Sequence, residues 1–445
     1  MAQSNEVQIP LIMQAVLDSL GNTDNWGKTE HSQWLVQAGV EWAHPQHRHA
    51  VPTWLLERFL ATPDSASRSI HATLTSMAIT VFTSSIPIVY TSASDIVSKL
   101  ISLVIRRSVA NPDGPLLPVL VESISSLGTR VHYADQIRDV AEELISQLVI
   151  VETHIKPGVP NGGRTQAIRC LLAGLRGVQA AAVQPTKYAG RVAGSKTPDT
   201  PTVLFDRENE PGRDRRGAHP PLRAGISPDI WQGTLVLLCD GDYAVRADYT
   251  QALVSYIGFG IPKEDEYTGP DGTRHKITIT GGPEKQVTPI MHSDSVTRFL
   301  NALHAYVYAL ATTESLGVEA GVQNSASPSP TPLQNQQISG KQRLSALFPV
   351  GPRSGKPSPA SLSDYGHILE ILVAVHEHLP VRALLVSVPM LLALDDASKE
   401  YWEREPRRYN ALQEVLARVW LTLGKVWDCA PVITGAEEVR RPCLL

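Results

Sequence analysis

The chain has 445 residues, 42% of them hydrophobic, with a formal net charge of −4 and an isoelectric point near 6.4. That is enough apolar side chain for two or three compact domains or for one elongated repeat array. No global basic field exists to hold a phosphate backbone, which argues against a general DNA or RNA binder.

The amino terminus, MAQSNEVQIP, has no basic region followed by an apolar run and so reads as no signal peptide. Ala2 stands where N-myristoylation needs glycine. From residue 8 to 182 apolar residues recur at helical spacing, in QIPLIMQAVLDSL, HSQWLVQAGVEW, VPTWLLERFL, SDIVSKLISLVI, LLPVLVESISSL and YADQIRDVAEELISQLVIV. Short turns rich in Pro, Asp and Gly separate them. Residues 1–184 therefore read as amino-terminal helical repeats. Within them, the uncharged run 72–94 is long enough to span a bilayer. It is rich in Ser and Thr and interrupted by Pro87, so it reads as a buried helix plus loop.

Composition changes at 185–225, where Pro, Gly and charge dominate; this reads as a disordered linker. Arg213, Arg215 and Arg216 form a basic knot in it that suits peripheral contact with acidic lipid, against the plainer reading of a solvated linker. Residues 226–317 read as central repeats with a small extended insertion at 262–290, where GPDG is turn chemistry and KITIT alternates like a strand. Residues 318–360 form a second disordered, Ser/Pro-rich loop. Thr197, Thr200, Ser327, Ser329 and Thr331 each precede proline, as does Ser358, and suit proline-directed kinases. Residues 361–430 read as carboxyl-terminal helical repeats and 431–445 as a polar tail.

Chemistry is sparse. The four cysteines, Cys170, Cys239, Cys429 and Cys443, form no CxxC pair, so neither a disulfide framework nor a zinc site follows. In the tail, Cys443 stands third from the end, where prenylation needs it fourth. The acidic stretch CDGDYAVRADYTQAL fails as a calcium loop. Counted from Asp240, position 5 is Ala244, position 6 is Val245 and position 12 is Gln251, where a carboxylate or amide, a glycine and a glutamate are needed. GPRSGKPS and AGRVAGSKT are near-misses to a phosphate loop and lack the strand and helix that its mechanism requires. His44, His47 and His49 cluster in HPQHRH, and His376 and His378 in HEH. The latter pair sit about 200° apart on a helix, so they read as surface histidines at a helix end rather than ligands. No cofactor is expected. An enzyme with an unfamiliar site would place it at one of these histidine clusters.

The same acidic stretch reads better as a repeat corner. Residues 229–239 form a first helix, Asp240–Gly241–Asp242 the turn, and Val245, Tyr249, Leu253 and Tyr256 one stripe of a second helix. Asp240 is placed to accept from free amides at the start of that helix, and Arg246 to reach an Asp or carbonyl in its own or the next repeat. This resembles the HEAT repeat, with Asp240, Val245, Arg246, Tyr249 and Leu253 as its motif. Arg68, Arg106, Arg138 and Arg169 follow at intervals of 38, 32 and 31 residues, the length of paired helices. The expected fold is all-α, a HEAT/armadillo-like α-solenoid with disordered insertions.

DIWQGTLVLLCDGDYAVRADYTQALVSYI and SLSDYGHILEILVAVHEHLPVRALLVSVPMLLALDD resemble segments of the Eighty-Five-Requiring family, also called rolling blackout, in its fungal branch. The resemblance implies a non-enzymatic rod at the inner face of the plasma membrane. It implies that the rod recruits a type III phosphatidylinositol 4-kinase through a TPR-type adaptor protein. Family members attach to the membrane through an amino-terminal basic patch or lipidated cysteines. Here the first cysteine is Cys170, and Lys28 is the one Lys or Arg in residues 1–47. The resemblance therefore implies a gene model that lacks the membrane-binding end, with a cytoplasmic location if that end is truly missing. The alternative is a generic HEAT-repeat adaptor in trafficking or transport.

Overall fold

The computed structural model describes residues 8–22, 29–63, 68–84, 86, 88, 92–128, 137–154, 161–183, 226–261, 266–268, 274–276, 294–313 and 360–440. The helices are α1 (Gln8–Asn22), α2 (Thr29–Trp42), α3 (Ala50–Ala61), α4 (Arg68–Phe82), α5 (Ala93–Ala110), α6 (Leu117–Ser126), α7 (Ile137–His154) and α8 (Asn161–Val183). They continue with α9 (Pro228–Gln232), α10 (Tyr243–Phe259), α11 (Ser295–Thr312), α12 (Leu362–His378), α13 (Pro380–Lys399), α14 (Pro406–Val426) and α15 (Ala430–Arg440). Short 3-10 turns lie at Pro45–His47 and Leu235–Cys239. Two three-residue strands, β1 (Glu266–Thr268) and β2 (Arg274–Lys276), pair antiparallel with Tyr267 opposite His275. The turn expected at 269–272 and residues 277–280 of the expected strand lie outside the described residues.

The fold is all-α apart from that ribbon, and its packing follows a simple rule. Even-numbered helices stack in one layer: α2 on α4, α4 on α6, α6 on α8, α8 on α10, α10 on α12 and α12 on α14. Odd-numbered helices stack in the other, from α1 through α3, α5, α7, α9 and α11 to α13. Each odd helix also packs on the even helix that follows it, with the 3-10 turn Leu235–Cys239 meeting α10 in place of α9. This is the connectivity of a solenoid, in which each two-helix unit touches its neighbours in sequence. One apolar core runs the length of the stack, from Ile9 and Met13 in α1 to Leu416 and Leu423 in α14.

Local chemistry sets the ends of these helices. Ser92 Oγ accepts from Asp95 N, Asp242 Oδ1 from Ala244 N and Asp294 Oδ1 from Val296 N, each occupying an otherwise orphaned amide. Ser361 and Asp364 form a capping box at α12. Pro380 and Pro406 open α13 and α14, at a position where the missing N–H costs nothing.

Four readings of the sequence need correction. Residues 229–239 are not one helix: α9 ends at Gly233, and the chain tightens into the 3-10 turn. Thr234 N and Oγ1 both donate to Trp231 O, and Oγ1 also meets Tyr249 Oη, so the side chain reinforces backbone pairing at the break. Residues 430–440 are helix, not tail. Asp428, at φ 50°, reverses the chain after α14, and Gly424 lets Ile433 come close enough that a Cβ there would lie 2.7 Å from Ile433 Cγ1. The arginine intervals do not mark equivalent sites: Arg106 and Arg138 lie on odd helices and Arg68 and Arg169 on even ones, with Arg138 and Arg169 in a single unit. The solenoid stands on helix packing, not on that spacing. Finally, His376 is buried in the core rather than exposed at a helix end.

The run 72–94 divides into α4, whose Leu74, Met77, Val81 and Phe82 are buried, and the start of α5. Among the described residues no helix is long and apolar enough to cross a membrane.

Helices α6 and α8 come close at Gly177. A Cβ added at Gly177 would lie 1.9 Å from Ser125 Oγ and 2.5 Å from Ser125 Cβ. Gly177→Ala should therefore lower stability by about 1–3 kcal/mol through overpacking. Adding Ser125→Gly should restore most of it, as read by urea unfolding midpoints; equal losses in the single and double variants would contradict this packing.

Candidate functional site

The expected motif residues gather where α8, α10 and α12 meet. Val245, Tyr249 and Leu253 point into the core and are fully buried. Asp240 is 1% exposed and Arg246 3% exposed, so any charge they carry has to be matched inside the protein. Arg246 meets that need by a fork: Nε and Nη2 donate to Asp364 Oδ1 and Oδ2 at 2.9 and 2.7 Å, and Nη1 donates to the Asp240 carbonyl at 2.7 Å. The bidentate geometry is the strong form of an arginine–carboxylate pair. Asp240 Oδ1 accepts from Asp242 N at 2.9 Å, one residue before the helix, while Asp242 is the residue that caps α10.

The partners of this corner lie far away in sequence. Arg164 of α8 donates to both Asp240 oxygens at 3.3 and 2.7 Å, and Thr165 Oγ1 to Asp242 Oδ2 at 2.7 Å. Further along the same seam Arg169 pairs with Asp248 and Arg176 with Gln251. Tyr243, at the surface of the corner, stacks on His367 of α12 with ring centroids 5.8 Å apart. The odd layer repeats the theme. Arg298 of α11 reaches Asp229 of α9, and Arg382 of α13 reaches Asp294, the cap of α11. Arginines also close carboxyl-terminal ends: Arg106 and Arg107 donate to Leu60 O and Thr62 O at the end of α3, and Arg408 to Ala311 O and Thr313 O at the end of α11.

This arrangement holds units together. Its carboxylates and guanidiniums are spent on each other. The Cys170 thiol is pushed up to about 11 by burial, which keeps it protonated and unreactive near neutrality. In HPQHRH, His44 Nδ1 accepts from Gln46 N and His49 Nδ1 donates to Gln46 O, so the cluster closes a turn. His378 Nε2 donates to Ile261 O. Among the described residues no three of His, Cys, Asp and Glu are grouped to hold a metal ion. Thr197, Thr200, Ser327, Ser329 and Thr331, and the basic knot at 213–216, lie outside the described residues.

Reading from sequence found Asp240 and Arg246 but missed Arg164, Asp364, Asp294 and Arg382. Arg246 and Asp364 are separated by 118 residues, and no local pattern links them. One signal was available for Asp364: Ser361 and Asp364 stand three apart before an apolar run, which marks a helix start.

No protein-family profile matches the chain, and no solved structure matches it. Curated relatives do. The chain is 28% identical, over 468 aligned positions, to the protein named Protein EFR3 from two strains of Cryptococcus neoformans var. neoformans serotype D, JEC21 and B-3501A. It is 26% identical to Protein EFR3 of Mycosarcoma maydis over 467 positions. These alignments take in 97%, 97% and 93% of this chain but 43% of each relative, so the chain spans less than half the length of the relatives it matches. The similarity to these fungal proteins named EFR3 runs through the whole stack of helices rather than one segment.

Proposed function

We propose that the protein is a non-enzymatic helical-repeat scaffold that helps recruit a type III phosphatidylinositol 4-kinase complex to the plasma membrane. The observation that carries this reading is the similarity to these relatives along 97% of the chain, laid over an unbroken two-layer stack. A stack of this kind offers long lateral surfaces on which several partners can be arrayed. Its buried ionisable groups join helices, which supports a structural role for them rather than a catalytic one. The kinase would be reached through a TPR-type adaptor, and the protein would act peripherally, at the cytoplasmic face of the membrane. The test is capture of the tagged chain from its own cells. Recovery of a phosphatidylinositol 4-kinase together with a TPR adaptor is the expected result; a clean preparation with neither would overturn the proposal.

A further inference from the structure

We infer that the junction of α11, α12 and α13 is an acid-labile latch, opened when protons reach two imidazoles, His304 and His376, that the fold seals away from water. The inference rests on the fold alone. His304 is 3% exposed and His376 fully buried. The His304 Nδ1 lies 2.6 Å from Leu300 O, and a carbonyl only accepts, so Nδ1 carries the proton. The neutral Nε2 then accepts from Ser387 Oγ of α13 at 2.6 Å. One tautomer of His304 thus joins α11 to α13. His376 of α12 is sealed with no hydrogen-bond partner on either ring nitrogen among the described residues. A proton on it would be a buried charge with no acceptor.

Among the described residues no carboxylate is hydrogen-bonded to either ring. Several ionisable groups on the helices around the pair face other partners. Arg246 of α10 takes Asp364, Arg298 of α11 takes Asp229, and Arg382 of α13 takes Asp294. On α14, Arg408 takes Glu405 and Arg418 takes Glu414. Tyr249 and Tyr256 of α10 are bonded to Thr234 and to Ile226 O and are raised by burial. On α12 itself His378 takes Ile261 O. Burial holds both imidazoles down to about 4 from an ordinary 6.5, and His304 pushes His376 further in the same direction.

The sign follows. Above pH 6.5 both rings are neutral whether the junction is closed or open, and pH does not act on it. Between 6.5 and 4 the open state takes up protons and the closed state does not, so acid favours opening. Below 4 the closed state titrates too and the effect levels off.

Hydrogen exchange of the intact chain at pH 7.0 and 5.0, compared with His376→Leu at each pH, tests this because intrinsic exchange rates cancel within each pH. The wild type should lose protection in α12 and α13 at pH 5.0 relative to the variant, by up to about tenfold per pH unit for one proton taken up. Protection in α4–α6 should change equally in both. Equal loss in wild type and variant throughout α12 and α13 would overturn the latch. If the variant does not fold, the imidazole carbon shifts of the wild type decide: two rings with no titration above pH 5 support the latch, and a full set of histidines titrating near 6.5 in the folded protein overturns it.

Discussion

Arg246→Ala should destabilise the folded chain by about 3–5 kcal/mol, the cost of stranding a buried carboxylate. Asp364 is fully buried, and both of its oxygens are met by that one guanidinium. The alanine also leaves the Asp240 carbonyl without its 2.7 Å donor. Asp364 has a second duty, since Oδ2 accepts from Ser361 N and Ser361 Oγ at the start of α12. Arg246→Met combined with Asp364→Leu should therefore recover most, but not all, of the loss. An apolar pair can replace a buried ion pair at little cost, whereas losing the cap costs about 1 kcal/mol. Thermal and urea unfolding of the three variants measures this. An Arg246→Ala protein that melts with the wild type would show that the fork does not hold α10 to α12.

Trp231→Ala should cost a similar amount, about 3–5 kcal/mol, for a different reason. The indole is fully buried and stacks on Tyr256 with centroids 4.3 Å apart, and Tyr256 in turn meets Phe299 edge-on at 5.9 Å. Three helices, α9, α10 and α11, share this aromatic pile. The indole N–H has no hydrogen-bond partner among the described residues, so its removal takes away packing alone. Trp231→Phe should then lose much less than the alanine variant, because a smaller ring still stacks. Equal losses for Phe and Ala, measured by calorimetry, would contradict an account based on packing.

What could be read from the sequence was the part written in local period. Apolar residues at helical spacing gave the helices of 8–182, and Asp and Ser before them gave several starts. The break at Gly233 was hidden because Leu235, Leu237 and Leu238 continue an apolar run that suits a helix as well as a tighter turn. The carboxyl-terminal helix was hidden because AEEVR is short and polar, and the helix is held by contact with α14 at Gly424 and Ile433. The arginine spacing misled because arginine has several structural uses here. Arg106 caps a helix end, Arg138 pairs with Glu142 in its own helix, and Arg169 bridges two helices. At the central corner the local half, Asp240 with Arg246, was legible. The distant half, Arg164 and Asp364, was not, because which unit follows which is settled by packing and not by neighbours in the chain.

The alternation of odd and even helices has a consequence for how the molecule comes apart. Its cooperativity is one-dimensional: a boundary between ordered and melted units can sit at any joint, and its free energy is set by that joint alone. Damage at α1 or α15 frays the array inwards from one end. Damage at α10, which lies in the interior, divides it into two shorter arrays that can melt at different temperatures. A lesion at Arg246 should therefore turn a single transition into two, where the same loss of free energy at either end would only shift the curve.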